Sequence, residues 1–140
     1  MSFPTIAPED TAAQIGAAGT AIYVDVRTVA EFVQGRPKGR AINLPIVFHH
    51  PKTGEDHPND AFELVANHAI DPATPLIVGG DGDARADLAA ARLAAAGFDD
   101  VKVMGSGLTG WRAAALPVTG DNRDGVSYAS LLTAARRAKA

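Results

Sequence analysis

The feature that most constrains this chain is an alternation. Short apolar runs rich in β-formers are each followed by a stretch of helical composition. That is the signature of βαβ units wound around a mostly parallel sheet. Ala21-Ile22-Tyr23-Val24-Asp25-Val26 reads as a buried strand, and residues 41–44, 75–78 and 101–104 read as three more. A helix is predicted over residues 8–18, with proline and acidic residues in its first turn and Gly19 just past its end. Thr28 and Glu31 form an S/T-x-x-E capping box, so a short helix begins there and stops before Gly35 and Pro37. Asn59 or Asp60 caps a helix running to about residue 68. Another spans 85–96 and is closed by Gly97. Gly105-Ser106-Gly107 turns the chain into a short helix containing Trp111, and residues 127–138 read as an amphipathic helix with basic residues near its end. Residues 49–58, with Pro51, Gly54 and Pro58, read as a surface loop.

The 140 residues suffice for one domain with a real core, and 46% hydrophobic with 21% charged residues is ordinary globular composition. A formal net charge of -3 creates no field that attracts nucleic acid or an anionic membrane, and neither is expected as a partner. No stretch approaches the roughly 20 apolar residues that cross a bilayer, and Met1-Ser2-Phe3-Pro4 does not begin a secretory signal, so a cytoplasmic location is expected. The chain has no cysteine, which rules out disulfides and thiolate metal sites.

Several motifs in order resemble the rhodanese-like family of sulfurtransferase domains. Asp25-Val26-Arg27 followed by Glu31-Phe32 is similar to its D-V-R-x-x-x-E-F signature. Gly39-Arg40-Ala41-Ile42-Asn43-Leu44-Pro45 is similar to G-A-x-N-[IL]-P with one residue extra. Leu76-Ile77-Val78 leading to Arg85 resembles the strand and active-site loop. Ala96-Gly97-Phe98, residues 101–103, Gly107, Trp111 and Leu116-Pro117-Val118 resemble the closing pattern. The resemblance covers roughly residues 8–119. It implies a three-layer α/β/α fold with a mostly parallel sheet of about five strands and helices on both faces. The organisation expected from it is a domain over residues 1–119, then a polar linker and C-terminal helix over 120–140.

The departure lies at the chemistry. The family's loop is like C-R-S-G-N-R, and counting back from Arg85 puts Gly80 at the cysteine position, with Asp81, Gly82, Asp83 and Ala84 between. A Gly-rich turn between a strand and a helix N-terminus aims backbone N–H groups inward as an anion cradle. In a sulfurtransferase that cradle lowers the thiol pKa and stabilises the persulfide carrier. Glycine attacks nothing, and Asp81 and Asp83 add negative charge where an anion belongs. No catalytic residue and no cofactor are therefore expected. The family's related phosphatase domains use a longer loop, so the short one here argues against phosphatase activity.

Around the loop, Asp25, Arg27 and Glu31 sit near the carboxyl end of the first core strand, where open α/β sheets place their sites. One reading is a residual anion pocket built on Arg27 and Arg85. The favoured one is an ion-pair network of Arg27, Glu31 and Arg85 that braces the loop. Asp81 and Asp83 are ordinary turn formers that lack the ligand spacing of a calcium loop. His49, His50 and His57, with Glu55 and Asp56, hold donors suited to zinc or nickel. Adjacent histidines on a polar loop are ordinarily solvated, so no metal is expected. Trp111 is read as a packing anchor beneath the loop. The functional expectation is a non-catalytic protein-interaction or regulatory module with a residual pocket at the loop, taking an unidentified protein partner or small ligand. The alternatives are a sulfurtransferase scaffold with its cysteine replaced at Gly80, and a cysteine-independent metal- or anion-based activity.

Overall fold

The computed structural model describes residues 3–139. Four strands form a parallel sheet: β1 (Ile22–Asp25), β3 (Ala41–Asn43), β6 (Leu76–Gly79) and β7 (Val101–Met104), in the order β3-β1-β6-β7. About five strands are expected from the resemblance and four are found. Beyond β7 a single parallel bridge at Thr5 continues the sheet, where Ile6 N–H donates to the Val103 carbonyl and Val103 N–H to Pro4.

Two antiparallel ribbons lie outside this sheet. One pairs β2 (Arg36–Pro37) with β8 (Val118–Thr119). The other pairs β4 (Val47–His49) with β5 (Asp56–Pro58). Residues 49–58, expected as loop, are loop only over 50–55, with His49 and Asp56–Pro58 in the strands of a hairpin. β5 is exposed throughout, and β4 offers only Val47 and Phe48, too short a run to show apolar alternation.

Helices cover both sheet faces. α1 (Pro8–Ile15) and α5 (Gly107–Ala113) enclose Ile15, Tyr23, Ile77, Met104, Leu108 and Trp111. α3 (Phe62–Ala69), α4 (Arg85–Ala95) and α6 (Tyr128–Lys139) bury Val24, Val78, Phe62, Val65, Leu93 and Leu131 on the other face. The split follows from strand geometry, since Tyr23 and Val24 are neighbours that must point to opposite faces. α1 stops three residues earlier than predicted, at Gly16, whose N–H closes on the Ala12 carbonyl. α6 packs on α3 through Tyr128, Leu131 and Ala135, and the Tyr128 hydroxyl donates to Asn59 Oδ1 at 3.2 Å.

α5 ends with Ala115 at φ 58°, a left-handed conformation that costs a Cβ-bearing residue roughly 1 kcal/mol. The Leu116 N–H reaches back to the Trp111 carbonyl and Ala115 N–H to Arg112, which forces that turn. Ala115→Gly is expected to raise stability by about 0.5–1 kcal/mol, read as a higher urea midpoint with unchanged slope.

The strand order reverses between β1 and β6, because β1 leads on one side to β3 while β6 lies on its other side. Open α/β sheets present their sites at that switch point, beyond the carboxyl ends of the strands. Here those ends are Asp25 and Gly79.

Candidate functional site

The loop from Gly80 to Ala84 joins β6 to α4 at this point. Gly79 and Gly80 are both buried, for different reasons. A Cβ at Gly79 would lie 1.8 Å from the Tyr23 hydroxyl oxygen, so the ring of Tyr23 occupies that space. A Cβ at Gly80 would meet nothing nearer than Asp83 Oδ1 at 3.4 Å and the Ala86 amide nitrogen at 3.8 Å. Gly82 takes φ 80°, and Gly107 (φ 62°) packs against it so closely that a Cβ there would lie 2.5 Å from its nitrogen. The Gly80 carbonyl accepts from the Leu108 N–H at 3.1 Å, which ties the loop to the start of α5.

Both loop carboxylates are occupied. Asp81 Oδ1 accepts from the Thr109 hydroxyl at 2.9 Å. Asp83 accepts from the Arg85 N–H at 3.1 Å and from Arg85 Nε at 2.9 Å. The rest of the Arg85 guanidinium makes a two-point contact with Glu31, at 2.7 and 3.1 Å. Glu31 also closes the capping box at the head of α2 (Val29–Gln34), accepting from the Thr28 N–H while Thr28 Oγ1 accepts from its own N–H. The two bonds from Arg85 hold the Glu31 carboxyl down at about 2, against an ordinary value of 4.5. Arg85 is raised in turn.

That depression has a signed consequence. A carboxylate with a lowered folded-state pKa adds stability fully present above about pH 4.5, which is lost as pH falls toward 2. Glu31→Gln is therefore expected to flatten the stability profile across that acid window, measured by urea denaturation at successive pH values. A parent and variant with parallel profiles below pH 4.5 would contradict the Glu31–Arg85 pairing.

Arg27 makes its ion pair elsewhere. Its guanidinium turns back onto Asp25, with Nε to Oδ1 at 2.9 Å and Nη2 to Oδ2 at 2.7 Å, both side chains almost wholly buried. It also donates to the Gly35 carbonyl at 2.8 Å and to the backbone carbonyl of Glu31 at 3.4 Å. Burial raises the Asp25 carboxyl above its ordinary value, against the opposing pull of Arg27. The structure thus divides the predicted three-member network into two separate pairs.

Trp111 lies fully buried in the layer between the sheet and α5, and its Nε1 donates to the Pro117 carbonyl at 2.8 Å. The three histidines sit on the β4–β5 hairpin with separate local partners. His49 Nδ1 lies 2.8 Å from Asp56 Oδ1, His50 Nδ1 accepts from the Lys52 and Thr53 amides, and His57 Nε2 lies 3.7 Å from Glu55. Among the described residues, no three histidine or carboxylate side chains converge.

Two hollows flank the loop. A cleft of about 440 Å³ runs between it and the hairpin, lined by Thr28, Glu31, Val47, His49, Asp56, Asp83, Ala84 and Arg85. A smaller one of about 180 Å³ lies on the other side, bounded by Arg27, Asp81, Leu108 and Arg112 among others. Val47, Leu108, Thr109 and Arg112 border the site without having been singled out in the sequence. The Gly-rich turn before α5 was legible, but its contact with the first loop was not.

Residues 7–114 match the family profile described as Rhodanese-like domain. The chain is 36% identical over 95 residues to thiosulfate sulfurtransferase 16, chloroplastic, of Arabidopsis thaliana, covering 68% of this chain and 77% of that protein. It is 29% identical over 103 residues to thiosulfate sulfurtransferase 18 of the same plant, covering 73% and 74%. Among solved structures it is similar to a rhodanese-like domain of the Alr3790 protein from Anabaena sp., with TM-score 0.68 and 22% identity over 86% of this chain and 81% of that one. It is also similar to a thiosulfate sulfurtransferase from Pseudomonas aeruginosa, with TM-score 0.67 and 25% identity over 96% of this chain and 24% of that one. The chain therefore belongs to the rhodanese-like domain family, as a member with no cysteine on which that family's sulfur transfer can run.

Proposed function

We propose that this chain is a non-catalytic rhodanese-like domain that works as a protein-interaction or regulatory module through the face carrying the Gly80–Arg85 loop. The observation that carries this reading is that the charged side chains of the loop are already paired within the chain. The loop has glycine at the nucleophile position, and its one arginine is held by Glu31 and Asp83. An anion entering the loop has to compete with carboxylates already in place, which is a poor arrangement for binding thiosulfate. The neighbouring cleft of about 440 Å³ offers a partner side chain a recess bordered by Glu31, Asp56, Asp83 and Arg85 instead. Purified protein is expected to give only background thiocyanate in a thiosulfate:cyanide assay. Turnover above that of an Arg85→Ala control would overturn this reading.

A second reading is favoured by one specific feature, the room at Gly80. In that reading the chain is a sulfurtransferase scaffold whose cysteine has been replaced, with the space for it retained.

A further inference from the structure

Arg36 lies remote from the loop chemistry in its bonding and is 4% exposed, yet among the described residues no carboxylate lies within ion-pair distance of it. Its partners are neutral. Nη1 donates to the Pro37 and Gly39 carbonyls at 3.0 and 3.2 Å, Nε donates to the Asp121 carbonyl at 3.2 Å, and the guanidinium stacks 5.5 Å over the Phe32 ring. A buried charge is ordinarily neutralised by an ion of opposite sign, because desolvation is costly. Among the described residues Nη2 donates to nothing, and it is not among the sealed polar atoms that lack a partner. That nitrogen is therefore not fully sealed from solvent.

The guanidinium borders a hollow of about 380 Å³ beside the β2–β8 ribbon, lined also by Lys38, Thr119, Asp121 and Arg123. Among the described residues Asp121 is the one carboxylate lining it, and it is held by Arg123 through Nε at 2.8 Å and through Nη2. Three cations against one carboxylate leave an excess of two positive charges in a chain whose net charge is -3. The Thr119 hydroxyl oxygen already accepts from the Asp121 N–H, so its hydrogen is directed elsewhere.

We propose that this hollow is a phosphate-binding site for inorganic phosphate or a small phosphate monoester, seated on Arg36 Nη2 and flanked by Lys38 and Arg123. A phosphate monoester carries about -1.5 to -2 at pH 7, which matches the excess, and its oxygens accept charge-assisted hydrogen bonds of the kind Arg36 Nη2 and the Lys38 ammonium can donate. The site uses none of residues 80–85, so its failure and the failure of the interaction reading are separately visible.

The test is titration of the ¹⁵N-labelled chain with inorganic phosphate and, separately, with phenyl phosphate, at constant ionic strength. The expected result is saturable amide shifts at Lys38, Gly39, Thr119 and Asp121. Lys38→Gln and Arg123→Gln should each weaken binding about fivefold, the scale of one exposed charge-assisted contact. Arg36→Met, which keeps the packing over Phe32, should abolish it, and the two surface variants carry the test if that variant does not fold. Tighter binding of phenyl phosphate assigns the site to a phosphorylated small molecule, and equal binding assigns it to free phosphate. Shifts that do not saturate, that centre on residues 80–85, or that survive both surface substitutions unchanged overturn the proposal.

Discussion

Asp25→Asn is expected to destabilise the fold by roughly 3–5 kcal/mol, the cost of leaving one member of a buried ion pair unpaired. Arg27 is almost fully enclosed, and Asp25 takes two of its guanidinium bonds. Asparagine keeps the shape but removes the charge, and its amide nitrogen presents a donor where Arg27 needs an acceptor. The Asp25 backbone carbonyl also accepts from Asn43 Nδ2 at 3.2 Å, so strain at this residue spreads to the neighbouring strand β3. An internal reference is the exposed pair Lys102–Asp100, at 3.0 Å, whose removal is expected to change stability by less than about 1 kcal/mol. Urea midpoints of the two variants measure the contrast. An Asp25→Asn protein within 1 kcal/mol of the parent would mean that Arg27 finds a replacement partner, and the pair would not be a structural keystone of the loop face.

Gly80→Cys is expected to create a reactive thiol without disturbing the fold. The new Cβ has ordinary contacts, and Gly80 is not among the glycines with positive φ. A thiolate there displaces sulfite from thiosulfate to form a persulfide, and cyanide then takes the outer sulfur as thiocyanate and returns the thiolate. The start of α4 lowers the thiol pKa, but Asp83 Oδ1, 3.4 Å from the Cβ, opposes it. Adding Asp83→Asn to Gly80→Cys is therefore expected to accelerate alkylation at pH 7 about tenfold, equivalent to one pKa unit. Thiocyanate production by the cysteine variant supports the replaced-cysteine reading. A thiol that alkylates yet never carries persulfide supports the non-catalytic one.

How much of this was legible depended on whether a signal was local. The four core strands and the Thr28–Glu31 capping box are written in contiguous residues, and they lie where pattern placed them, within a residue or two. The β4–β5 hairpin was not legible, since His49 and Asp56 pair across it through backbone while their side chains face solvent. The charge network was half legible. Position in the chain placed Arg27, Glu31 and Arg85 at one end of the sheet. It did not reveal that Arg27 bends back two residues to Asp25, leaving Glu31 to Arg85 alone. Arg36 carried no signal, because bonding only to backbone carbonyls is a property of three dimensions.

The adjacent glycines at the end of β6 have opposite evolutionary meanings. Position 79 is closed by the Tyr23 ring, so packing alone demands glycine there, whatever the protein does. Position 80 has room and an ordinary backbone, so mutation is free to replace its glycine. Drift at 80 among descendants of this chain would mark a loop released from selection. Persistence of glycine there would mean that the bare surface is itself what a partner recognises.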